Sequence, residues 1–413
     1  MRDNRNAVIT GVGVIAPNGI GKEKYWKALE NGVSGIRPAT LFDTTYFKSK
    51  LVGECTDFDP VEFLGPKGHR TLDRATKMIA SAAKLALDDA KLEITEENTD
   101  DIGVVTATTL SVAFDIAEFT KEVVQDGPNM ANPALFPPTT MNFPSSHIAI
   151  RYKIKGFNTT ISTGFSAGLD ALKYAIDFIK LGRAKVVLVS GVESASFSNF
   201  VGFYKAGFLA GRKGEEISCP FDKRHNGIIL GEGSTVIVVE DEEHAKQRKA
   251  NIYAKVLAVK TFFDAFRITE YDPKARGLRQ SMRKALDESN TSEAEIDFIC
   301  SCANSVPMQD VIETQAIKEV FNIYADNLAV SGIKSMLGES CSAAGGLQIA
   351  AAIGAMQNKF IPPTINYKEP DPECNLDYVA NKSRKQDVNN VMINNFGPGG
   401  NNTTAIITKY RDY

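Results

Sequence analysis

The chain has 413 residues, with 47 basic and 50 acidic side chains and a formal charge of -3. Hydrophobic residues make up 43% and charged residues 23%, ordinary globular usage that excludes extended disorder and a nucleic-acid binder built on bulk positive charge. Six cysteines in a chain this long do not make a disulfide scaffold, and with no C-x-x-C pair no metal site is expected. The polar start, Arg2-Asp3-Asn4-Arg5-Asn6, has no signal-peptide core, and no apolar run approaches the ~20 residues that span a bilayer. A soluble cytoplasmic protein without membrane contact is expected. At ~150 residues per domain, the length allows two or three domains or one duplicated unit.

In chain order the pattern alternates between strand and helix. Ala7 to Val14 reads as a buried strand closed by Pro17-Asn18-Gly19, followed by helices over Lys22 to Glu30 and Arg74 to Lys91. Ile102 to Ala107 is a strand, Asp126 to Pro138 an ordered excursion, and Asp170 to Leu181 a helix with Leu169, Leu172, Ile176 and Ile179 on one face. Lys185 to Ser190 and Thr235 to Glu240 are strands, and the charged stretch Asp241 to Lys249 marks a boundary between halves at 1–249 and 250–413. The order then repeats: strand Ile252 to Val259, helix Leu278 to Glu288, strand Ile296 to Cys302, helix Val311 to Phe321 and strand Leu328 to Ser331. Helix Ala343 to Met356 and strands Val388 to Ile393 and Thr404 to Thr408 complete it. The expectation is a duplicated α/β fold.

Three motifs invite catalytic readings. Gly11-Val12-Gly13-Val14-Ile15-Ala16 matches G-x-G-x-x-A, but a turn, not a helix N-terminus, follows it, so a tight turn after a core strand is the better reading. Gly164-Phe165-Ser166-Ala167-Gly168 matches the nucleophile elbow, which would make Ser166 a hydrolase nucleophile. Such a triad needs a later histidine. Of the four in the chain, His69, His147, His225 and His244, only the last two follow, neither in a late strand-end loop. Small residues that let a helix pack closely explain the motif better. Cys300 and Cys302 could be nucleophiles, though buried structural cysteine is the commoner state.

An ordered set of further segments resembles the β-ketoacyl-acyl carrier protein synthase family. Val8-Ile9-Thr10-Gly11-Val12-Gly13 is similar to its opening strand. Pro220-Phe221-Asp222 with Asn226-Gly227-Ile228-Ile229-Leu230-Gly231-Glu232-Gly233 resembles P-F-D…R-D-G-F-x-x-G-E-G. Ile333-Lys334-Ser335-Met336, Gly338 and Ala343-Ala344-Gly345 resemble K-S-x-x-G-H-x-x-x-A-A-G, and Asn394 to Asn402 resembles N-S-F-G-F-G-G-T-N. The resemblance spans nearly the whole chain. It implies a thiolase-like fold, two α/β halves in a five-layered α-β-α-β-α core.

The departures bear on function. The family's condensing enzymes use a cysteine and two histidines, and the aligned positions here hold Phe165, Cys302 and Glu339, with Lys334 alone retained. Phenylalanine has nothing to ionise and no lone pair to attack a thioester, and a glutamate offers no donor to a developing enolate. The two threonines that in the family bond the pantetheine arm are Asn304 and Val306. In the gating loop Phe396-Gly397-Pro398, proline has no N–H to donate. A fold kept with its catalytic set erased resembles the chain length factors, the ketosynthase β subunits of type II (aromatic or polyene) polyketide synthases. That resemblance implies a heterodimer with an active ketosynthase α subunit, with the strand from Asn158 to Ser162 pairing across the interface. It implies a polyketide tunnel there whose depth sets product length, with Leu110, Ser111 and Phe114 as tunnel residues and Gly202 and Phe203 as weaker candidates. No cofactor is implied, because the intermediate rides on the phosphopantetheine of an acyl carrier protein, which docks mainly on the partner. The alternative is an acyltransferase or hydrolase using Cys302, Cys300 or Ser166 as nucleophile.

Overall fold

Runs of β-branched residues and Ala-rich helices assemble into two units of the same plan in a computed structural model that describes residues 5–68 and 71–411. The first unit contributes β1 (Ala7–Ala16), β2 (Ile102–Ala107), β3 (Asn158–Ile161), β4 (Val186–Glu193) and β5 (Gly233–Asp241). The second contributes β6 (Ala254–Phe263), β7 (Phe298–Cys300), β8 (Ala329–Ser331), β9 (Asn390–Phe396) and β10 (Asn401–Lys409). Their spatial order is β8-β7-β9-β10-β6-β1-β5-β4-β2-β3. Counted from its own first strand, each unit therefore runs 3-2-4-5-1. The pairing matches as well: the outer three strands of each unit are parallel and the inner pairs antiparallel. The duplication is thus present in topology. The units join where β1 pairs antiparallel with β6, at Ala7 with Val256 through Ile9 with Ala254.

Two Ala- and Gly-rich helices lie between the units, and others cover their outer faces. Helix α1 (Arg74–Ala90) packs on β1, β4 and β5, its N-terminus capped by Asp73, whose carboxylate accepts the Thr76 N–H at 2.7 Å. Helix α2 (Ala113–Asp126) follows β2. Helix α3 (Ala167–Lys180) and the later α7 (Ala344–Asn358) pack on each other and on strands of both units. Helix α4 (Phe197–Ala206) follows β4, and α5 (Arg276–Ser289) and α6 (Pro307–Phe321) cover the second unit. Helices outside, strands, and helices between give the five layers of a thiolase-like fold. Strands β1, β4 and β5 are buried along their whole length, which is why they read as near-continuous apolar runs.

Close approach of backbones, rather than a turn, accounts for Gly11 and Gly13. Both sit inside β1, and a Cβ on Gly13 would lie 1.9 Å from the Ala82 carbonyl oxygen of α1. The tight turn expected there is confined to residues 17–18, which lead into a short hairpin strand, Gly19–Ile20. The strand expected over Ile296 to Cys302 contracts to Phe298–Cys300; Ser301 beyond it keeps a backbone bond to Ser331 at 2.9 Å while its hydroxyl bonds Glu313. Val388 to Ile393 shifts to Asn390–Phe396, and the strand expected from Ile252 begins at Ala254. The charged stretch after Asp241 forms helix Glu242–Gln247, capped by the Asp241 carboxylate. Helix α2 escaped the sequence reading because none of its residues is fully buried; Phe114 and Ile116 face outward and break the periodic signal. Two 3-10 turns, Pro133–Leu135 and Pro137–Thr139, order the Pro-rich excursion. Among the described residues no helix is long and apolar enough to cross a membrane. Gly13→Ala is expected to lower the stability of the chain by about 1–3 kcal/mol through overpacking against α1, read as a lower urea midpoint with an unchanged slope.

Candidate functional site

The residues singled out by sequence meet where the two central helices begin. Helix α3 is preceded by a 3-10 turn, Gly164–Ser166, in which Gly164 takes a positive φ of 72°. The two helices cross through glycine: a Cβ on Gly168 would lie 3.1 Å from the Gly345 Cα, and one on Gly345 2.8 Å from the Leu169 amide nitrogen. This close packing is what the small residues of the elbow-like motif provide. Ser166 is buried and donates to Asp170 at 2.8 Å, a carboxylate that also takes the hydroxyls of Thr163, Thr261 and Thr403. Among the described residues, its hydrogen-bond partners include no imidazole.

Phe165 occupies the start of α3 with 8% of its surface exposed. Its ring lies against Gly397, where a Cβ would come within 3.0 Å of two ring carbons, and the Lys334 ammonium stands 5.8 Å from the ring centroid. A hydrophobic ring thus fills the helix N-terminus that would otherwise stabilise an anion.

Lys334 opens a short helix, Lys334–Leu337, and Glu339 follows its last turn. The G-E-G segment holds this turn in place. A Cβ on Gly231 would meet the Leu337 carbonyl oxygen at 2.5 Å, while Glu339 and residues 229–231 exchange backbone hydrogen bonds of 2.8 and 2.9 Å. Glu232, fully buried, is clamped by Arg74 at 2.5 and 2.8 Å. The Glu339 carboxylate accepts Lys334 Nζ at 2.8 Å, Asn304 Nδ2 at 2.7 Å and the Cys341 N–H at 2.9 Å. Apart from each other, the side chains of Lys334 and Glu339 bond Asn304, Cys341 and Cys302, all inside the protein, and both residues are buried. Burial disfavours the Lys334 ammonium, but the facing Cys302 sulfur and Glu339 carboxylate outweigh it and raise its pKa above the ordinary lysine value.

Cys302 sits beyond the end of β7, fully buried. Its Sγ receives Lys334 Nζ at 3.3 Å, Gln309 Nε2 at 3.3 Å and the Phe396 N–H at 3.4 Å. Burial nonetheless pushes its thiol up to about 12, with Lys334 pulling it back and Glu339 and Glu313 pushing it further up. At neutral pH it is a thiol, and Glu339 is the counterion of Lys334. Cys300 is likewise buried and raised by burial. Neither thiol is the exposed, low-pKa group that nucleophilic chemistry requires. Asn304, in place of a pantetheine-binding threonine, spends its amide on Glu339 and its carbonyl on the Val306 N–H at 3.2 Å.

Sequence reasoning missed the polar face of α6. Gln309 bonds the Cys302 carbonyl at 3.1 Å, and Glu313 accepts Ser301 at 2.6 Å, the Cys302 N–H at 3.2 Å and Asn394 at 3.1 Å. Burial pushes the Glu313 carboxyl up to about 7, against those hydrogen bonds. Asp310 faces His225 Nδ1 at 3.0 Å, whose Nε2 meets Asp371 at 3.2 Å. Burial works against protonation of His225, but the two carboxylates win and raise its pKa. His244 bonds Glu240 at 2.9 Å and His147 is half-buried on the helix Phe143–Tyr152; His69 lies outside the described residues. The signal in the sequence was the i, i+4 pair Gln309 and Glu313 on a helix that starts at Pro307.

The tunnel candidates separate into two places. Leu110 and Ser111 lie in the turn after β2, next to the Phe165 site: Thr109 Oγ1 bonds Ser342 Oγ at 2.6 Å, and Ser342 reaches the Gly164 carbonyl at 3.3 Å. Ser111 is buried and bonded to Thr108 at 2.6 Å. Phe114 lies elsewhere, on the surface, at the rim of an open cleft of about 190 Å³ also lined by Leu41, Phe42, Phe197 and Asp115. Gly202 is exposed and Phe203 half-buried on α4. In the gating loop, Phe396 is buried, and Gly397 and Pro398 form the turn between β9 and β10.

The β-ketoacyl synthase N-terminal domain model matches residues 4–245 and the C-terminal domain model residues 253–368. The chain belongs to the β-ketoacyl synthase family. A 3-oxoacyl-[acyl-carrier-protein] synthase 2 of Coxiella burnetii is 34% identical over 99% of this chain and 100% of its own. The tetracenomycin polyketide synthase ketoacyl synthase alpha subunit of Streptomyces glaucescens is 34% identical over 99% of this chain and 98% of its own. Among solved structures, the ishigamide ketosynthase/chain length factor superposes with a TM-score of 0.92 at 33% identity, covering 98% of this chain and 100% of that one. A type II polyketide synthase acyl carrier protein in complex with its ketosynthase bound to the hexaketide gives 0.91 at 26% identity, with 98% and 100% coverage.

Two measurements check the electrostatics of this family member. Lys334→Met leaves Glu339 buried without its cation and is expected to cost about 3–5 kcal/mol, whereas Lys334→Met with Glu339→Gln costs markedly less, both read by urea unfolding. Glu313 has a folded-state pKa above its ordinary 4.5, so the folded protein binds the extra proton and stability falls as pH rises towards and through 7. Relative to Glu313→Gln, the wild type is expected to lose about 3 kcal/mol at most between pH 4.5 and 8.

Proposed function

We propose that this β-ketoacyl synthase family member is a non-catalytic chain length factor: it pairs with an active ketosynthase and shapes the tunnel that sets polyketide length. The observation that carries the reading is Phe165. A ring seated between Gly397 and Lys334 stands where the family's nucleophile belongs. The other two catalytic positions reinforce it, since Cys302 is a buried thiol of raised pKa and Glu339 is closed on Lys334 and Asn304. The named synthases among its relatives are enzymes; the reading for this chain rests on its own three side chains. The solved ketosynthase/chain length factor supports pairing as a function of this fold.

The pairing surface fits the same reading. Strand β3 ends the sheet with one free edge among the described residues, an arrangement that invites a further strand. Its Thr160 Oγ1 is buried without a partner. Ile116, Phe136, Met141 and Ile150, on the segments leading to it, are exposed apolar side chains. A ketosynthase subunit of the same fold would cover them, and the acyl carrier protein, with its phosphopantetheine-borne intermediate, would dock mainly on that partner. The assembly is cytoplasmic in this reading.

The experiment is co-expression with candidate ketosynthases, followed by co-purification, product mass and assay of the chain alone. The chain alone is expected neither to be acylated nor to elongate malonyl thioesters, and the heterodimer to form products of defined length. Elongation by the purified chain alone would overturn the reading. Phe165→Cys by itself is expected to leave condensation at background, because the donors at 302 and 339 are still missing and such residues act as a unit.

A further inference from the structure

Glu193 is a buried carboxylate that the degenerate site does not use. It ends β4, is 3% exposed, and points at the turn that carries Leu110. Its Oε1 accepts the Thr109 N–H at 2.6 Å, and its two oxygens accept the Leu110 N–H at 3.2 and 3.1 Å. From the other side, Asn199 at the start of α4 donates its Nδ2 to the Leu110 carbonyl at 3.2 Å and to the Ser194 carbonyl at 3.3 Å. Thr109 is fastened a second time, through its hydroxyl, to Ser342. The peptide units on both sides of Leu110 are thus bonded to side chains from β4 and α4. Burial pushes the Glu193 carboxyl up to about 7, a cost that the N–H bonds only partly offset. A carboxyl group held there at that cost is more than a loop needs merely to close.

We propose that Glu193 and Asn199 are positioning residues that clamp the Leu110 peptide, and through it fix how far the Leu110 side chain reaches into the chain-length tunnel. The inference rests on the chain length factor reading above. It assigns the specificity of the tunnel to two polar side chains that touch no polyketide. An apolar end wall discriminates by its position, and a shift of about one methylene in depth changes preference by roughly tenfold or more. A turn held at its N–H by Glu193, and at its C=O by Asn199 as well as by the Ala113 N–H at 3.1 Å, can keep that depth; losing either side chain loosens it.

The test uses the heterodimer with the ketosynthase that co-purifies, and reads the ratio of product lengths together with total malonyl consumption. Leu110→Ala is expected to lengthen the products. Glu193→Ala and Asn199→Ala, with Leu110 intact, are expected to lower the ratio of the dominant length to the next longer one by about tenfold, with malonyl consumption nearly unchanged. Glu193→Gln, which keeps one acceptor for the turn, is expected to restore most of that ratio. If Glu193→Ala fails to assemble, Asn199→Ala still decides. Altered lengths in Leu110→Ala with unaltered lengths in Asn199→Ala, and in Glu193→Ala where it assembles, would overturn the clamp and leave the tunnel reading standing. Unaltered lengths in Leu110→Ala would overturn the tunnel reading itself. Loss of malonyl consumption in parallel with length control would mark Glu193 and Asn199 as structural only and also overturn the clamp.

Discussion

The crossing of the two central helices at Gly168 and Gly345 governs the rest of the molecule. Each helix begins at one half of the site: α3 two residues after Phe165, α7 a few residues after Glu339. With no side chain at the crossing the helices touch backbone to backbone, so their N-termini are held within contact of one another. The Ser342 hydroxyl bonding the Gly164 carbonyl is a direct sign of this proximity. Any ring, thiol or carboxylate at these positions inherits a fixed location. That is why replacing three side chains can change what the site does while the layers around it persist.

The buried side chains around Lys334 form an internally satisfied network. Lys334, Glu339, Asn304, Cys302 and Gln309 use their polar atoms on one another, on nearby backbone and on the neighbouring Tyr271 and Asn395 side chains. Buried charge is expensive unless paired, and a lysine retained opposite a glutamate is a closed pair. Catalysis needs donors left unspent until charge develops on a substrate. Here they are already spent in the ground state, and Phe165 occupies the space in front of them. The geometry favours rigidity at the place where a condensing enzyme keeps its options open.

The sequence made the duplicated alternation, the buried strands and the family signatures legible, because each is carried by a contiguous run. Phe165, Cys302, Glu339 and Lys334 were readable for the same reason: each is fixed by flanking motif residues. Other features were not. The joining of the halves by β1 and β6 depends on a pairing between residues some 250 positions apart, for which no local signal exists. Helix α2 turns Phe114 and Ile116 outward, which erases the periodicity that reveals a helix. Gly11 and Gly13 look like turn glycines in the sequence, and only the approach of the Ala82 carbonyl shows why they are glycines. Glu193 and Gln309 carry no motif at all; their roles come from which buried backbone groups lack another partner.

The motifs can also be sorted by what they hold. Pro220-Phe221-Asp222 serves the architecture: the Phe221 N–H bonds Asp310 at 3.0 Å, its ring stacks on Tyr378 with centroids 3.9 Å apart, and Asp222 takes the N–H groups of Lys368 and Glu369. Gly231-Glu232-Gly233 brings the Lys334–Glu339 turn against its neighbouring strand. Asn394 and Asn395 bind Glu313 and Gln348, two buried side chains on helices of different layers. The contacts of these signatures are to the fold. Persistence of family signatures therefore reports that the site is built, whereas the identity of the three side chains inside it reports what the site can do.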